Sequence, residues 1–509
     1  MIIAEELFDR IVALIQLDEH RAPEVTGMLY DTLKLACREA LSNNRELFGN
    51  LFSQVDYLSR KYSMHLRDVV AIQKMRSETR TGMQFSSKEL LSHARALSIF
   101  ISTIFQTAIP TRLNHLLPRV YYISKAKREI NYRRIRGLVL SVQSDAFKVQ
   151  CEQFEDIKEM TVPLNEPHLL YLSTLLKEGM QVNLLDCNVE NDVIETALVV
   201  VNPDFLLDIS SIARCFTDWG HHPLSYTYNR LSPSANSKAI LLGHYSGVAL
   251  DDIINKKEHY SWQDSLKKSF SKKALEYCTC GDMNVGDDFK HSAQQQSSNI
   301  QQIVDELFHS EKTSFDESKA ILEPSFICEE LGIQGRVDLM TTDFKLLIEQ
   351  KSGGNFNIER GIINKYGSYQ KEDHYVQLLL YYGVLQHNFR LGRNDIDIRL
   401  LYSKYPLPGG LVVVAFYQQL FREAIEFRNR VVVNEIAVAQ QGFGSVLAEL
   451  TPFTLNANKL TSSFYQRYIQ PQQNRVLEPL QQLSPLEKAY FNRMMTFVYR
   501  EQASSKTSE

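Results

Sequence analysis

The segment Leu346–Ser352 carries two charged side chains at the end of an apolar run. Glu349 and Lys351 are two positions apart, so a β-strand places both on one face, about 7 Å apart. Burying a lone carboxylate or ammonium costs several kcal/mol unless a partner compensates for the lost water. A divalent cation can compensate the carboxylate, and Lys351 can then stabilise the charge of a transition state at phosphorus. The pair therefore predicts metal-assisted hydrolysis of a phosphodiester bond.

A second carboxylate, Asp338, is separated from Glu349 by a predicted hairpin. Gly335–Asp338 opens a short apolar stretch, and Thr341–Asp343 is a candidate turn. Antiparallel pairing across that turn brings Asp338 alongside Glu349. Two hard carboxylates suit Mg²⁺ or Mn²⁺, and the backbone carbonyl of Gln350 is a further candidate ligand. The same spacing also fits a surface hairpin closed by a salt bridge, so the prediction depends on the elements around it.

A helical pattern downstream adds three polar side chains. His374, Gln377 and Tyr381 are spaced i, i+3 and i+7, so they form one stripe on a helix that is otherwise largely apolar. Upstream, His291 opens another helical pattern, where an imidazole is a candidate third metal ligand. The alternatives are a helix with polar residues at its exposed edge and a helix-start histidine that meets only water.

Together these residues resemble the PD-(D/E)xK nucleases of the RecB type. The family pattern is a histidine at a helix start, Gly-x-x-Asp, Glu-x-Lys on a strand, and a helix with Gln-x-x-x-Tyr, and the chain has these in the same order. Residues 271–390 are most similar to the nuclease part of helicase–nucleases that process replication flaps and resected DNA ends. In those proteins a glutamate and an apolar run precede the aspartate, as Glu323 precedes Asp338 here.

The resemblance implies an α/β nuclease core, with a restriction-endonuclease-like mixed sheet flanked by helices. It also implies that Asp338, Glu349 and His291 bind the metal and that Lys351 is catalytic. Support of the substrate and the active site is implied for Glu323, Arg336, His374, Gln377 and Tyr381. The implied activity is that of a Mg²⁺- or Mn²⁺-dependent deoxyribonuclease acting on single-stranded DNA in repair, replication or defence.

Two features of many relatives are missing from the sequence. Those relatives hold an iron–sulfur cluster with one cysteine before the histidine and three after the Gln-x-x-x-Tyr helix, but no cysteine follows Cys328 here. We therefore expect no iron–sulfur cluster. The sequence also has no G-x-x-x-x-G-K-[S/T] motif, so it contains no P-loop motor. We expect a helicase that is either a separate polypeptide or a C-terminal region of a longer chain.

Residue patterns divide the chain into five regions. Residues 1–117 show helical patterns, and residues 118–210 hold short β-prone runs that predict a small, OB-like β-barrel. Residues 211–270 form a connector, residues 271–440 alternate strand and helix patterns, and residues 441–509 are helical again. A structural β-domain without a ligand is the alternative for the barrel.

Basic residues cluster at the start of the predicted barrel and again in KKSFSKK (Lys267–Lys273). The first cluster interleaves a tyrosine with cations, and its members are Lys125, Lys127, Arg128, Tyr132, Arg133, Arg134 and Arg136. Such cations bind phosphates, and a tyrosine can stack on an unpaired base. We expect the tyrosine and the three arginines that follow it to bind single-stranded DNA, with a solvated basic face as the alternative.

The overall composition is that of an ordinary globular chain. Its 509 residues include 56 basic and 60 acidic ones, and this net charge of −4 excludes a uniformly basic nucleic-acid binder. Seven cysteines are too few, and odd in number, for a disulfide framework. The N-terminus has acids where a signal peptide needs bases, and Ala96–Pro110 is too short and too polar to span a bilayer. We therefore expect a cytoplasmic protein with no membrane partner.

Three functions fit these residues. The first is an active DNA nuclease, and the second is a catalytically inactive nucleic-acid-binding or scaffold subunit of a DNA-processing complex. The intact set of Asp338, Glu349 and Lys351 argues against the second, because a decayed site would be expected to lose at least one of them. The third is a nuclease that acts on RNA, which the same chemistry allows.

Overall fold

A computed structural model describes the chain apart from residues 1, 17–21, 81–84, 123–128, 155, 157–158, 234–235, 257–258, 283–286, 311–314, 365–366, 393–394 and 508–509. Three members of the first basic cluster, Lys125, Lys127 and Arg128, lie outside the described residues. The described elements form helical regions near both ends of the chain, a closed β-barrel and a mixed α/β core.

The region before the barrel is mainly helical. Its described helices are α1 (Ile2–Ile15), α2 (Ala22–Ala40), α3 (Leu51–Lys61), α4 (Leu66–Arg80), α5 (Ser87–Ile104) and α6 (Thr111–Asn114). Side chains cap two of these helices, since Asn50 and Ser53 form a reciprocal capping box at the start of α3, as Ser86 and Glu89 do at the start of α5. A short strand, β1 (Leu47–Phe48), leaves this helical region and joins the central sheet of the core.

The next region folds into a small β-barrel. Its elements are β2 (Tyr132–Val142), β3 (Ala146–Cys151), β4 (Met160–Pro163), α7 (Leu172–Leu175), β5 (Gln181–Glu190), β6 (Val193–Glu195) and β7 (Leu198–Val201). The barrel closes in the order β2–β3–β4–β6–β5 and back to β2, with β4 parallel to β6, and β7 pairs with β5. Ile135 and Val139 of β2 point inward, so the barrel has its own apolar core. The predicted β-barrel is confirmed.

Between the barrel and the central sheet the chain is mostly helical. The elements there are β8 (Leu207–Asp208), α8 (Ile209–Ala213), α9 (Leu224–Leu231), α10 (Lys238–Lys256), α11 (Trp262–Lys272), α12 (Ala274–Thr279) and α13 (Asp287–Phe308). Apolar residues of α10 and α13, such as Leu241 and Ile303, belong to one buried cluster with Leu346 and Ile348 of the central sheet. The region predicted as a connector therefore supplies part of a helical layer of the core.

The core is built on a six-stranded mixed sheet. The elements of this region are β9 (Ala320–Leu322), β10 (Ser325–Cys328), β11 (Ile333–Arg336), β12 (Leu339–Thr341), β13 (Leu346–Lys351), α14 (Phe356–Arg360), α15 (Glu372–Phe389), β14 (Asp397–Tyr402), β15 (Leu411–Val414) and α16 (Gln418–Gln441). The strand order is β1–β15–β14–β13–β12–β9, while β10, β11 and β8 form a separate small sheet. In the central sheet β13 runs antiparallel to β12 and parallel to β14. The mixed α/β class predicted for this region is confirmed.

Side chains of β13 alternate between two helical layers, as the pleat of a strand requires. Leu347 belongs to the buried cluster that contains residues of α15 and α16, whereas Leu346 and Ile348 belong to the cluster of α10 and α13. Glu349 and Lys351 therefore face α15. Gln350 faces α10, and its side chain donates to a carbonyl of that helix.

A buried arginine joins the barrel to the core. Arg428 on α16 is fully buried, and burial lowers the pKa of its guanidinium to about 9. It donates to the carbonyl oxygens of Asn202 at 2.9 Å, Phe205 at 2.8 Å and Gly332 at 3.2 Å. Gly332 has a φ of +63°, and a Cβ there would lie 2.3 Å from the guanidinium. The junction therefore requires glycine at this position.

The chain closes with further helices that pack on α16. They are α17 (Gly444–Glu449), α18 (Pro452–Leu455), a π-helix (Tyr465–Ile469), α19 (Gln470–Gln481) and α20 (Pro485–Thr507). Arg500 of α20 donates to the carbonyl of Ala439 at 2.9 Å, and the aromatic ring of Tyr499 packs against Phe443. Across the described residues, no helix is both long enough and apolar enough to cross a membrane.

Candidate active site

Glu349 and Lys351 lie at the end of a central strand of the sheet. β13 begins with three fully buried apolar residues, and Glu349 that follows them is only 3% exposed. Lys351 Nζ donates to Glu349 Oε1 at 2.9 Å, so the two charges meet on the face that the spacing predicts. Lys351 also lines an open cleft, although Glu349 does not.

Asp338 lies opposite Glu349 across the hairpin. The antiparallel register pairs Leu339 with Ile348, and one step further it sets Asp338 against Glu349. Asp338 Oδ2 accepts a hydrogen bond from the backbone N–H of Gln350 at 2.6 Å. The structure thus brings the two predicted metal ligands together at the end of adjacent strands.

Gln377 on α15 binds both charged residues of β13. Its Nε2 donates to Glu349 Oε1 at 2.6 Å, and its Oε1 accepts from Lys351 Nζ at 2.8 Å. The three side chains therefore form a closed ring of hydrogen bonds. This ring fixes the orientation of the carboxylate and occupies one of its two oxygens.

The second oxygen of Glu349 is buried and has no hydrogen-bond partner among the described residues. Burial, and after it the negative charge of Asp338, raise the pKa of Glu349 to about 8. Burial also raises the pKa of Asp338. Two carboxyl groups that face each other without a donor between them require either a shared proton or a cation.

A hard divalent cation fits this donor set. Mg²⁺ is typically held by one or two protein carboxylates, with waters and substrate phosphates as its other ligands. The backbone of Gln350 lies beside the carboxylates, because its N–H donates to Asp338 Oδ2. The described residues include no group of three or more His, Cys, Asp or Glu side chains able to hold a metal ion. A cation bound here would therefore complete its shell with backbone, water and substrate oxygens.

Tyr381, one turn beyond Gln377 on α15, holds the strand that leads to Asp338. Its hydroxyl donates to the carbonyl of Arg336 at 2.7 Å. The ring lies against Gly335, where a Cβ would come within 2.8 Å of a ring carbon. Gly335 of the Gly-x-x-Asp motif is thus required by a close approach rather than by its backbone angles.

His374 completes the predicted stripe on α15. Its Nδ1 lies 3.0 Å from the hydroxyl of Tyr402 on β14, and the residue lines the cleft. Burial, followed by the charges of Lys351 and Lys371, lowers the pKa of His374 well below its ordinary value. The imidazole is therefore neutral and acts as a hydrogen-bonding group. The structure brings all three members of the stripe to the site.

Glu323 and Arg336 form an ion pair at the rim of the same cleft. Arg336 Nη1 lies 3.3 Å from Glu323 Oε2, and both side chains are about half exposed. The backbone N–H of Glu323 donates to the carbonyl of Asp338 at 3.0 Å, which ties this rim to the carboxylates. Both residues lie where the sequence analysis expects them to support the site.

His291 does not join this arrangement. It is exposed near the start of α13 and does not line the cleft. α13 meets the site through residues further along, where Gln296 donates to the carbonyl of Ser352 at 3.3 Å and Asn299 donates to that of Ser403 at 2.9 Å. The expectation of a third ligand at the start of this helix is thus corrected, because the helix contacts the loops after β13 and β14 and not the carboxylates.

The sequence analysis missed α10, which forms one wall of the cleft. His244, Gly247 and Asp251 line it, and burial, followed by the charge of Glu323, raises the pKa of Asp251 to about 6. A Cβ on Gly243 would lie 3.1 Å from the hydroxyl of Ser352, so the helix approaches the end of β13 closely. The sequence did contain a signal for this wall, because Gly243 and Gly247 are four positions apart in an apolar helix and His244 lies beside the first of them.

The cleft has a volume of about 420 Å³ and is partly basic. Lys272 and Lys273, the last two lysines of KKSFSKK, line it together with Asp338 and Lys351, and Lys273 is also paired with Glu276 at 3.1 Å. Lys268 of the same segment is neutralised by the buried Asp252, with Nζ 2.7 Å from Oδ1. The second basic cluster therefore lies at the candidate catalytic cleft, where its cations can meet phosphates.

The first basic cluster is divided by the structure. Arg133 and Arg134 line a second cleft of about 810 Å³. Arg136 instead forms an ion pair with Asp204, which follows β7. Tyr132 packs edge-on against Phe154 at 5.3 Å, and neither it nor Arg136 lines the second cleft. Of the four predicted nucleic-acid-binding residues, only Arg133 and Arg134 thus line the second cleft.

Neither the protein-family models nor the curated proteins include a match to this chain.

Proposed function

We propose that the chain is a metal-dependent nuclease that hydrolyses phosphodiester bonds in single-stranded DNA. The observation that carries the proposal is the buried oxygen of Glu349, which has no partner among the described residues and belongs to a carboxylate opposite Asp338. A purely structural ion pair would satisfy both oxygens. A cation between the two carboxylates would satisfy the second oxygen, in place of the proton that they otherwise share.

In this proposal different residues bind the metal ion and the phosphate. Asp338 and Glu349 would hold the cation, with the carbonyl of Gln350 beside them. When bound, a divalent cation lowers the pKa of water and neutralises charge on the phosphodiester. Lys351 uses two of its three N–H donors on Glu349 and Gln377, which leaves one for a phosphate oxygen in the cleft. This contact strengthens as negative charge develops in the transition state.

The surroundings support a nucleic-acid substrate. Lys272 and Lys273 add positive charge to the cleft that holds Asp338, which suits a polyanion. The closed barrel supports the proposal only by analogy, because OB-like barrels are among those that bind oligonucleotides or oligosaccharides. From the resemblance alone, we add a helicase partner and a cytoplasmic location to the proposal.

The test is cleavage of end-labelled single- and double-stranded DNA, and of RNA, in Mg²⁺, Mn²⁺ or EDTA. Asp338→Asn removes one carboxylate charge at nearly constant volume and should reduce cleavage by several orders of magnitude. Asp343→Asn is the matched control, because this acid lies in the adjacent turn and does not line the cleft. Undiminished Mn²⁺-dependent cleavage by Asp338→Asn would refute the proposal. Faster cleavage of RNA than of DNA would make RNA the substrate of the proposed nuclease.

A nucleic-acid-binding subunit without catalysis is the second candidate. It is favoured by the lack of a third acidic, histidine or cysteine ligand beside the two carboxylates in the described chain. This candidate predicts that the protein binds DNA yet cleaves no substrate in either metal. It also predicts that Mg²⁺ does not raise the melting temperature of the protein.

A further inference from the structure

The larger cleft is lined by arginines from distant parts of the sequence. Arg133 and Arg134 lie on β2 of the barrel. Arg390 directly follows α15, and Arg422 lies on α16. They meet only because the barrel packs against the α/β core. Nothing in the local sequence around Arg390 or Arg422 predicts this convergence.

Positive charge exceeds negative charge in this cleft. Its two acidic lining residues are Asp186 and Glu330, and Glu330 is already paired with His387 at 2.8 Å. Arg133, Arg134 and Arg390 have no ion-pair partner in the described part of the chain, unlike Arg136 next to them. Glu330 attracts both Arg134 and Arg390, but four guanidinium groups against two carboxylates leave a net positive charge that favours an anionic ligand.

The other residues that line the larger cleft suit a flexible single strand of nucleic acid rather than a compact ion. The amides of Asn131, Gln386 and Gln418 make the lining polar, and the half-buried ring of Phe416 is stacked on Tyr382 at 4.6 Å. A volume of about 810 Å³ is within the range of pockets that bind organic ligands of some size. It can hold a few nucleotides of one strand, but a duplex would have to remain outside.

Helix α15 connects this cleft to the candidate catalytic cleft. Gln377 binds the catalytic pair near one end of the helix, and Arg390 follows its last residue. Thirteen residues of helix span about 20 Å, which is the length of about six stacked nucleotides. A strand of more than about six nucleotides is therefore long enough to reach from one cleft to the other.

The geometry points to a binding site for single-stranded nucleic acid in the arginine cleft, where guanidinium groups of the barrel and the core hold the backbone of the strand about 20 Å from the scissile phosphate. This inference rests on the proposed function for the identity of the strand as substrate. It goes beyond the sequence prediction in two ways. It adds Arg390, remote in sequence, and it excludes Arg136, which belongs to the same basic cluster.

The test measures binding of a fluorescent single-stranded 20-nucleotide DNA by anisotropy, with Asp338→Asn in every variant to prevent cleavage. Replacing Arg134 and Arg390 together by alanine should weaken binding at least severalfold and flatten the salt dependence by about 0.7 per lost contact. Replacing the same two arginines by lysine should keep most of the salt dependence. That result would show that the alanine variant binds weakly because it lost charge and not because it misfolded. Arg136→Ala is the matched control and should bind like the parent.

Cleavage assays in the otherwise native protein separate this inference from the proposed function. Variants of Arg134 and Arg390 should cleave a very short oligonucleotide at the parental rate but lose the preference for a longer one. Unchanged affinity and salt dependence in the alanine pair, beside normal cleavage, would overturn the inference and leave the nuclease in place. Arginine-dependent binding without any cleavage would overturn the nuclease and leave the binding site. Equally tight binding of a single nucleoside triphosphate would identify a small-ligand pocket and also overturn the inference.

Discussion

The side-chain amide of Gln377 donates to Glu349 across the gap between α15 and β13, with 2.6 Å between Nε2 and Oε1. This bond occupies the same oxygen that accepts from Lys351, and it leaves the other oxygen of the carboxylate open. A helix therefore decides which oxygen of a strand residue is available to a ligand. The orientation of the candidate metal ligand depends on this contact as much as on the strand.

Gln377→Met should impair the metal site while preserving the fold. The variant keeps the length of the side chain but removes both hydrogen bonds, so Glu349 loses its fixed orientation. Loss of such an outer contact typically costs about 10–100-fold in metal affinity or activity. We expect the Mn²⁺ concentration for half-maximal cleavage to rise, with little change in melting temperature. An unchanged metal requirement would show that Gln377 does not position Glu349.

Lys351→Met should reduce turnover without loss of DNA affinity. The ammonium contacts the phosphate most strongly when charge develops in the transition state, and loss of one such donor typically costs about 10²–10³ in kcat. Single-turnover cleavage and anisotropy binding measure the two effects separately. Lys345→Met, on the exposed turn before the same strand, is the control and should behave like the parent. A parallel fall in affinity and rate would make Lys351 a phosphate anchor only.

The contribution of Glu349 to the stability of the metal-free protein should fall as pH rises through the neutral range. Burial and Asp338 raise the pKa of Glu349 to about 8, whereas an unfolded glutamate titrates near about 4.3. Between these values the folded state binds more protons than the unfolded state, so the free energy of unfolding decreases with increasing pH. A cation that replaces the proton should relieve this loss.

Melting curves in EDTA and in Mg²⁺ at pH 5 and pH 8 measure this effect. Mg²⁺ should raise the melting temperature more at pH 8 than at pH 5, because at pH 5 the proton competes with the cation. Glu349→Gln should remove the part of the pH dependence that this carboxyl causes, together with the Mg²⁺ effect. Glu449→Gln, on the exposed face of α17, is the control that should keep both. An equal Mg²⁺ effect in the two glutamine variants would contradict binding at Glu349.

Gly332→Ala should destabilise the junction between barrel and core. A positive φ costs a non-glycine residue about 1–2 kcal/mol, and here the new Cβ would also collide with Arg428. Gly361→Ala isolates the first effect, since Gly361 has a φ of +65° but a Cβ at this position would meet no described atom within 4 Å. We expect the melting temperature to fall further for Gly332→Ala than for Gly361→Ala. Equal shifts would mean that Arg428 moves aside without cost.

The local patterns of the sequence determined much of the candidate site. Glu349 and Lys351 share a face because strands alternate with a period of two, and His374, Gln377 and Tyr381 share a face because helices repeat every 3.6 residues. The turn after β12 also favours the antiparallel pairing that sets Asp338 beside Glu349. These relationships depend on short stretches of backbone, and the residue types within them are sufficient to indicate them.

Tertiary structure alone decided which surfaces these elements meet. His291 has the residue type and helix position of a ligand, but α13 packs so that Gln296 and Asn299 face the core and the histidine stays in solvent. The same holds for Arg134, which joins Arg390 across about 250 intervening residues while Arg136, two positions away, turns to Asp204. Local periodicity predicts which side chains share a face of a helix or strand. It does not predict which other element packs against that face, because this depends on how whole layers bury their apolar surface.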